Sequence, residues 1–217
     1  MISTGNDIVA LKAIDIARTK QPNFYKRILS VPEKELYDQQ FSAKIPFENF
    51  VWLLWSVKES AYKYLQRITP ELVFSPTRTI ISRLELPISS TPIKLEGRDF
   101  GQGTVCKGSV AVGDHHLFFR SIITEEFIFS VVNDIEDFKN IYWGIQLAGS
   151  SEPEEQSRAV RVLLGEKLKI LFPEDNLEIS KSLHSYPVII KDEIEFPVVV
   201  SLAHHDGYVG YSLRVKG

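Results

Sequence analysis

Residues 47–66 read FENFVWLLWSVKESAYKYLQ, and the reading of this stretch decides the rest of the chain. Phe47, Phe50, Val51, Leu54, Val57, Ala61 and Leu65 recur at the three- and four-residue spacing of a helix stripe that faces a core. Glu59 and Lys63 are four positions apart, so they lie one above the other on a single face. That spacing taken alone describes a surface ion pair. The surroundings point further: Trp52 and Trp55 fall close to the same face and Lys58 flanks the glutamate. A solvated helix face seldom carries so much aromatic surface.

Upstream of the helix, residues 2–11 read as a short strand, with Gly5 allowing close backbone approach and Asp7 just before Ile8-Val9. Residues 13–29 have an irregular helical texture, and Ser30 followed by Glu33 gives a capping box that should open a short helix through about Gln40. Downstream of Pro70 the pattern changes to short β-branched or aromatic runs at 78–86, 92–96, 104–112, 116–124 and 126–132. These predict an antiparallel meander. Residues 133–150 are mixed and end in the linker-like Ala148-Gly149-Ser150. Ser151 and Glu154 form a second capping-box pattern, predicting a helix with Val160, Leu163, Leu164, Leu168 and Leu171 on one side and a stop at Pro173. Strand-like runs follow at 176–180, 186–191, 196–203 and 208–215. Helix-then-strands occurs twice, without the strand–helix alternation of a parallel sheet. The reading is an α+β fold of two related halves, each a helix packed on an antiparallel sheet, with boundaries at 1–135 and 136–217.

Composition narrows the function classes. The chain has 217 residues, 44% hydrophobic and 24% charged, which is ordinary for a globular protein with a sizeable core. A net charge of −3 gives no basic footprint for nucleic acid. The single cysteine, Cys106, excludes an internal disulfide framework and a cysteine-built metal site, and reads as a buried small apolar residue. No stretch approaches a membrane span, so a soluble, cytoplasmic setting is expected.

The chemistry available is Asp7, Glu59 and Lys63, with His204 as a more distant member. Two carboxylates from a strand and a helix make a hard-oxygen site of the kind Mg²⁺ takes, with water and substrate phosphate completing the shell. A lysine one turn away could hold the same phosphate as a point charge. Such a set suits phosphoryl-type transfer. Spacing leaves open the alternative of a strand-end aspartate and a surface ion pair, and His204-His205 ahead of Asp206-Gly207 reads by itself as a hairpin turn with two half-exposed histidines.

Four segments carry a resemblance. Gly5-Asn6-Asp7-Ile8-Val9 and Trp55-Ser56-Val57-Lys58-Glu59-Ser60-Ala61-Tyr62-Lys63 resemble the G-x-D-I and W-x-x-K-E-[AS]-x-x-K motifs of the 4′-phosphopantetheinyl transferase superfamily, and Arg27-Ile28-Leu29-Ser30 with Glu33 resembles the segment between them. Val200-Ser201-Leu202-Ala203-His204 is similar to the strand-end S-x-S-H that contacts coenzyme A, with Ala203 replacing the second serine. The larger, surfactin-synthetase-activating type has its halves in the opposite order. The small holo-acyl-carrier-protein synthase type has the order seen here, in one short unit that assembles as a trimer. The resemblance therefore implies a fused pseudo-dimer, permuted relative to the larger type and monomeric.

Carried over residue by residue, the resemblance implies that Asp7 and Glu59 hold Mg²⁺ and that Asp7, Glu59 and Lys63 form the catalytic set. Lys63, His204 and Ser201 would contact coenzyme A, and Lys58 either assists with phosphate or orients the helix. Glu59 or a water would take the proton from a serine of an acyl or peptidyl carrier protein. The hydroxyl would then attack the β-phosphate of coenzyme A and release 3′,5′-adenosine bisphosphate. A non-catalytic relative that binds coenzyme A or a carrier protein is the alternative. Two departures bear on it: Val9 and Ala10 stand where the larger and smaller types have a further acid, and Gln66-Arg67-Ile68 replaces the glycine-rich turn after the helix. Arg18, Lys20, Lys26 and Arg27 with Phe24 form a candidate docking patch for an acidic carrier protein, or else a solvated helix face.

Overall fold

The computed structural model describes residues 2–216. Strand β1 (Gly5–Ala10) is buried at every position and is followed by the short helices α1 (Ile16–Thr19), α2 (Pro22–Tyr25) and α3 (Val31–Leu36). The capping box at the start of α3 forms: Ser30 N–H donates to Glu33 Oε2 at 2.8 Å and Glu33 N–H to Ser30 Oγ at 3.4 Å. One π-helical turn, Tyr37–Phe41, continues α3. The long helix α4 (Phe47–Gln66) occupies the residues its periodicity predicts.

Next come β2 (Thr79–Glu85), β3 (Thr91–Leu95), β4 (Arg98–Val112), β5 (His115–Thr124), β6 (Phe127–Asn133) and β7 (Ile141–Leu147). Helix α5 (Pro153–Leu171) precedes β8 (Glu178–Lys181), β9 (Pro187–Lys191), β10 (Ile194–His205) and β11 (Tyr208–Val215). All pairings are antiparallel and fall into two sheets. The first runs β1-β6-β5-β4-β2, with β3 also on β4; the second runs β7-β11-β10-β9-β8. The fold is α+β with two sheet halves.

Three apolar clusters stack the elements into four layers. Helix α4 lies on one face of the first sheet, through Phe50, Leu54, Val57 and Ala61 against Val9, Phe119, Ile128 and Val132. Ile8, Ala10, Phe129 and Val131 on the other face meet Ile145, Ala203 and Tyr208 of the second sheet. Helix α5 covers the outer face of that sheet with Val160, Leu163, Leu164 and Leu168 against Val200, Val209, Tyr211 and Leu213. Cys106 is fully buried under α4, as expected of a small apolar side chain.

Strand β1 joins the layers. Its odd residues face α4 and its even residues face the second sheet, as the two-residue side-chain period requires. Gly5 has to be glycine here: a Cβ would stand 2.0 Å from Ser60 O and 2.7 Å from Tyr64 N. Among the described residues no strand pairs with the outer margin of β1, and side chains of β10 close it. Asn6 N–H donates to Ser201 Oγ (3.2 Å) and Ala10 N–H to His205 Nδ1 (2.9 Å). Asn6 Nδ2 also reaches Gly210 O, and Thr4 Oγ1 donates to Ser212 Oγ, so a polar seam runs between the sheets.

Two expectations are corrected. Residues 141–147, within the stretch read as mixed, form β7, an edge strand paired with β11. Its Gly144 and Gln146 break the apolar pattern because Gly144 packs bare backbone against Glu96 Oε2 and Tyr211. The capping box at Ser151 does not form either. Glu152 is the N-cap and makes no side-chain cap bond, while Ser151 Oγ donates to Asp206 Oδ1 at the β10–β11 turn.

Candidate functional site

Glycine at position 5 lets the backbone of α4 approach β1, and two residues on, the side chain of Asp7 emerges beside the helix. Lys63 Nζ lies 3.1 Å from Asp7 Oδ1 and 3.9 Å from Glu59 Oε1, so one ammonium bridges the two carboxylates. Ser56 Oγ donates to Asp7 O at 3.3 Å and fixes the strand to the helix at this point. The site is part-open, with the side chains of Lys63 and Glu59 26% and 22% exposed against 12% for Asp7.

The electrostatics divide the two acids. Burial raises the pKa of Glu59, the Lys63 charge opposes that rise and Asp7 adds to it. Asp7 Oδ2 is buried without a hydrogen-bond partner among the described residues. An unpartnered buried carboxylate oxygen is costly, so its acceptor capacity is available to a ligand. The donor set is all oxygen, and among the described residues no group of three or more His, Cys, Asp or Glu gathers. Two carboxylates completed by water and phosphate is a set that fits Mg²⁺.

His204, at the end of β10, lies near enough to feel the charges of Lys63 and Asp7. Burial lowers its pKa first, then the charges of Lys63 and His205, and Asp7 acts in the opposite direction. Its Nδ1 is 3.2 Å from Gln156 Oε1. Gln156 went unnoticed in the sequence, yet it carries a signal: it is four residues before Val160, on the buried stripe of α5, and is only 3% exposed. His205, the other half of the pair, is committed to the Ala10 amide.

Two expected coenzyme contacts lie elsewhere. Lys58 is fully buried and its ammonium donates to Glu33 Oε2 (2.7 Å), Ile28 O (2.7 Å) and Pro76 O (2.9 Å). All three of its protons are used, so of its two expected roles only the structural one is available. Ser201 is 5% exposed and its hydroxyl accepts the Asn6 N–H, which draws it into the seam between the sheets.

The turn after α4 supplies a residue that sequence reasoning registered only as a departure. Arg67 reaches across to the second sheet, where Nη2 donates to Pro187 O (2.7 Å) and to Val200 O, and its guanidinium stacks over Tyr186 at 4.4 Å. Burial lowers its pKa to about 10. The other departure also has a place in the packing. Val9 is buried under α4 and Ala10 is fully buried between the sheets, so an acid at either position would displace core contacts.

A helix laid on an antiparallel sheet, with two carboxylates and a lysine converging at the seam to a second sheet, makes a hard-oxygen cluster whose donors suit a divalent cation. Residues 3–100 match the family model of the 4′-phosphopantetheinyl transferase superfamily. That stretch includes Asp7, Glu59 and Lys63 and ends at the start of β4. Searches of the curated proteins and of the solved structures found no match.

Proposed function

We propose that the chain is a Mg²⁺-dependent 4′-phosphopantetheinyl transferase that moves phosphopantetheine from coenzyme A to a serine of an acyl or peptidyl carrier protein. The observation that carries this reading is the convergence of Asp7 and Glu59 within 4 Å of one lysine nitrogen, with Asp7 Oδ2 left unpartnered. The family match over residues 3–100 supports the same class of transfer.

Asp7 and Glu59 would hold the metal ion, which when bound neutralises charge on the phosphate oxygens. Lys63, flexible and part-exposed, turns from the carboxylates to the coenzyme phosphate. Glu59, whose burial raises its affinity for a proton, takes the proton of the carrier serine. The serine oxygen attacks the β-phosphate, and 3′,5′-adenosine bisphosphate leaves. His204, held by Gln156, approaches the coenzyme from the second sheet. Lys58 and Ser201 act through structure, the first by fixing α3 to α4 and the second by closing the margin of β1.

Residues 1–135 and 136–217 act as two halves of one pseudo-dimeric monomer, in the order opposite to the larger type and in a cytoplasmic setting. Among the described residues no helix is long and apolar enough to cross a membrane. The docking patch is narrower than the sequence suggests. Lys20 pairs with Glu48 at 3.1 Å, whereas Arg18 lies over Phe24 at 5.2 Å, which leaves Arg18, Lys26, Arg27 and Phe24 to meet an acidic carrier.

Labelling of several carrier proteins by a fluorescent coenzyme A tests the reading directly. Covalent label that requires Mg²⁺ or Mn²⁺ is expected. Binding of coenzyme A with no label on any carrier would instead establish a non-catalytic binding relative, the reading that the apolar residues Val9 and Ala10 favour. A solution mass of three chains rather than one would replace the monomer with a trimer.

A further inference from the structure

The second sheet meets the first chiefly along β1, and farther out on that face the cover thins. Val105 stands there 45% exposed in the middle of β4, a strand with neighbours on both sides. It lines two adjoining cavities. The larger, about 540 Å³, has Phe41, Leu84 and Leu86 among its apolar walls. The smaller, about 210 Å³, shares Val105 and Arg120 with it and extends to Ile93, Phe129 and Trp143. Together they make a groove of mixed lining, with an apolar length running from Phe41, Leu84 and Leu86 past Val105 to Ile93 and Trp143, of the size of an ordinary small-ligand site.

Its charge is one-sided. Lys44, Lys107 and Arg120 line the larger cavity, and Glu85 is the one acid there. Glu85 lies 3.2 Å from Lys107, so those two charges answer each other. Among the described residues neither Lys44 nor Arg120 forms an ion pair, and the charge of Arg120 reaches Asp137 only from farther off. Each lies over a ring instead, Lys44 Nζ 5.3 Å from the centroid of Phe41 and Arg120 4.8 Å from that of Phe138. In a chain of net charge −3, a groove lined by three cations and one acid, with an apolar length beside them, calls for an anion with an apolar body.

We propose that this groove binds a free long-chain alkyl carboxylate, its head between Lys44 and Arg120 and its chain along Val105 toward Trp143. Arg120 offers the planar fork that matches a carboxylate, and the walls take the alkyl chain out of water. A multiply charged phosphate would find no use for the apolar length. None of these residues belongs to the Asp7–Glu59–Lys63 cluster, so the inference stands apart from the transferase reading.

Calorimetric titration of the full chain with decanoate and with decanol tests it. Saturable binding of decanoate at least about tenfold tighter than decanol is expected, and the K44Q/R120Q double variant should weaken decanoate binding by about tenfold or more. A bromine-tailed alkyl carboxylate should quench a fluorescence component that Trp143→Phe removes. Lys44→Gln alone, at an exposed turn, keeps the test valid if the double variant unfolds, and must weaken binding several-fold. Equal binding of alcohol and carboxylate, unchanged affinity in Lys44→Gln, or no saturable binding overturns the proposal. So does capture by anionic phospholipid vesicles with free decanoate silent, which would place a membrane surface there instead.

Discussion

Two acids in one site are asked for different things, and their surroundings show it. Glu59 is held with its pKa above the ordinary 4.5, chiefly by burial, so the folded state keeps its proton to higher pH than the unfolded chain does. With folded above unfolded, the penalty for the buried charge is fully felt at neutral pH. It is relieved as pH falls through the folded value, so the metal-free protein gains stability there. Glu59→Gln should remove that pH dependence and stabilise the metal-free fold on the order of 1 kcal/mol, while labelling falls at least about a hundredfold. Thermal melts across acid pH and the labelling rate are the measurements; full activity in this variant would mean the metal has been misplaced. Metal affinity should fall with falling pH, with a midpoint above 4.5, because proton and cation compete for the same carboxylate. Lys58 presents the opposite case. It and Glu33 are 0% and 1% exposed at the side chain, and Glu33 also accepts the amides of Ser30 and Ile81. Lys58→Met leaves that carboxylate buried without its counter-charge and should cost roughly 3 kcal/mol or more in denaturant unfolding. The sequence placed Lys58 beside Glu59 and could not show that the one points inward and the other out, since adjacent helical positions lie about 100° apart and only packing says which is buried.

At the scale of elements, local pattern was sufficient wherever one face of an element meets one core. Helix α4 falls on its predicted residues because its apolar stripe is continuous, and the Ser30–Glu33 box forms because both partners are three residues apart. The pattern misled at β7 and at Ser151. In both places a residue answers to something distant: Gly144 to Glu96 and Tyr211, Ser151 to Asp206. The contact between β1 and α4 is where element packing sets the site. Gly5→Ala would drive a methyl group into the carbonyl of Ser60, and the strand must move off the helix. A loss of about 1–3 kcal/mol is expected, together with weaker metal affinity, because Asp7 moves with the strand. Metal titration and melts on the same variant check both parts. Gln156→Leu should leave the fold intact and raise the KM for coenzyme A with little change in kcat, since it frees His204 from its partner without touching the two acids. An unchanged KM would remove His204 from the coenzyme contact.

Across the whole molecule, two helix-covered sheets share an apolar and polar seam, and the site lies at its margin. The sequence showed helix-then-strands twice, but not that Asn6 meets Ser201 and Gly210, or that Arg214 reaches Asn133 and Asp134. Contacts at such separation leave no local period to read. They make the two sheets interdependent, so residues 1–135 expressed alone should lack a cooperative unfolding transition, and the full chain should unfold in one step by Trp fluorescence and circular dichroism alike. A fragment that melts cooperatively would show that the seam is dispensable. The way β10 closes the margin of β1 has one more consequence. The first strand leaves the ribosome nearly two hundred residues before the hydroxyl and imidazole that cap its open amides, with separations of 195 positions at both Asn6 and Ala10. During translation the outer margin of that strand stays unpaired after α4 and β6 have covered the rest of it, so nascent chains should be prone to edge pairing until β10 emerges.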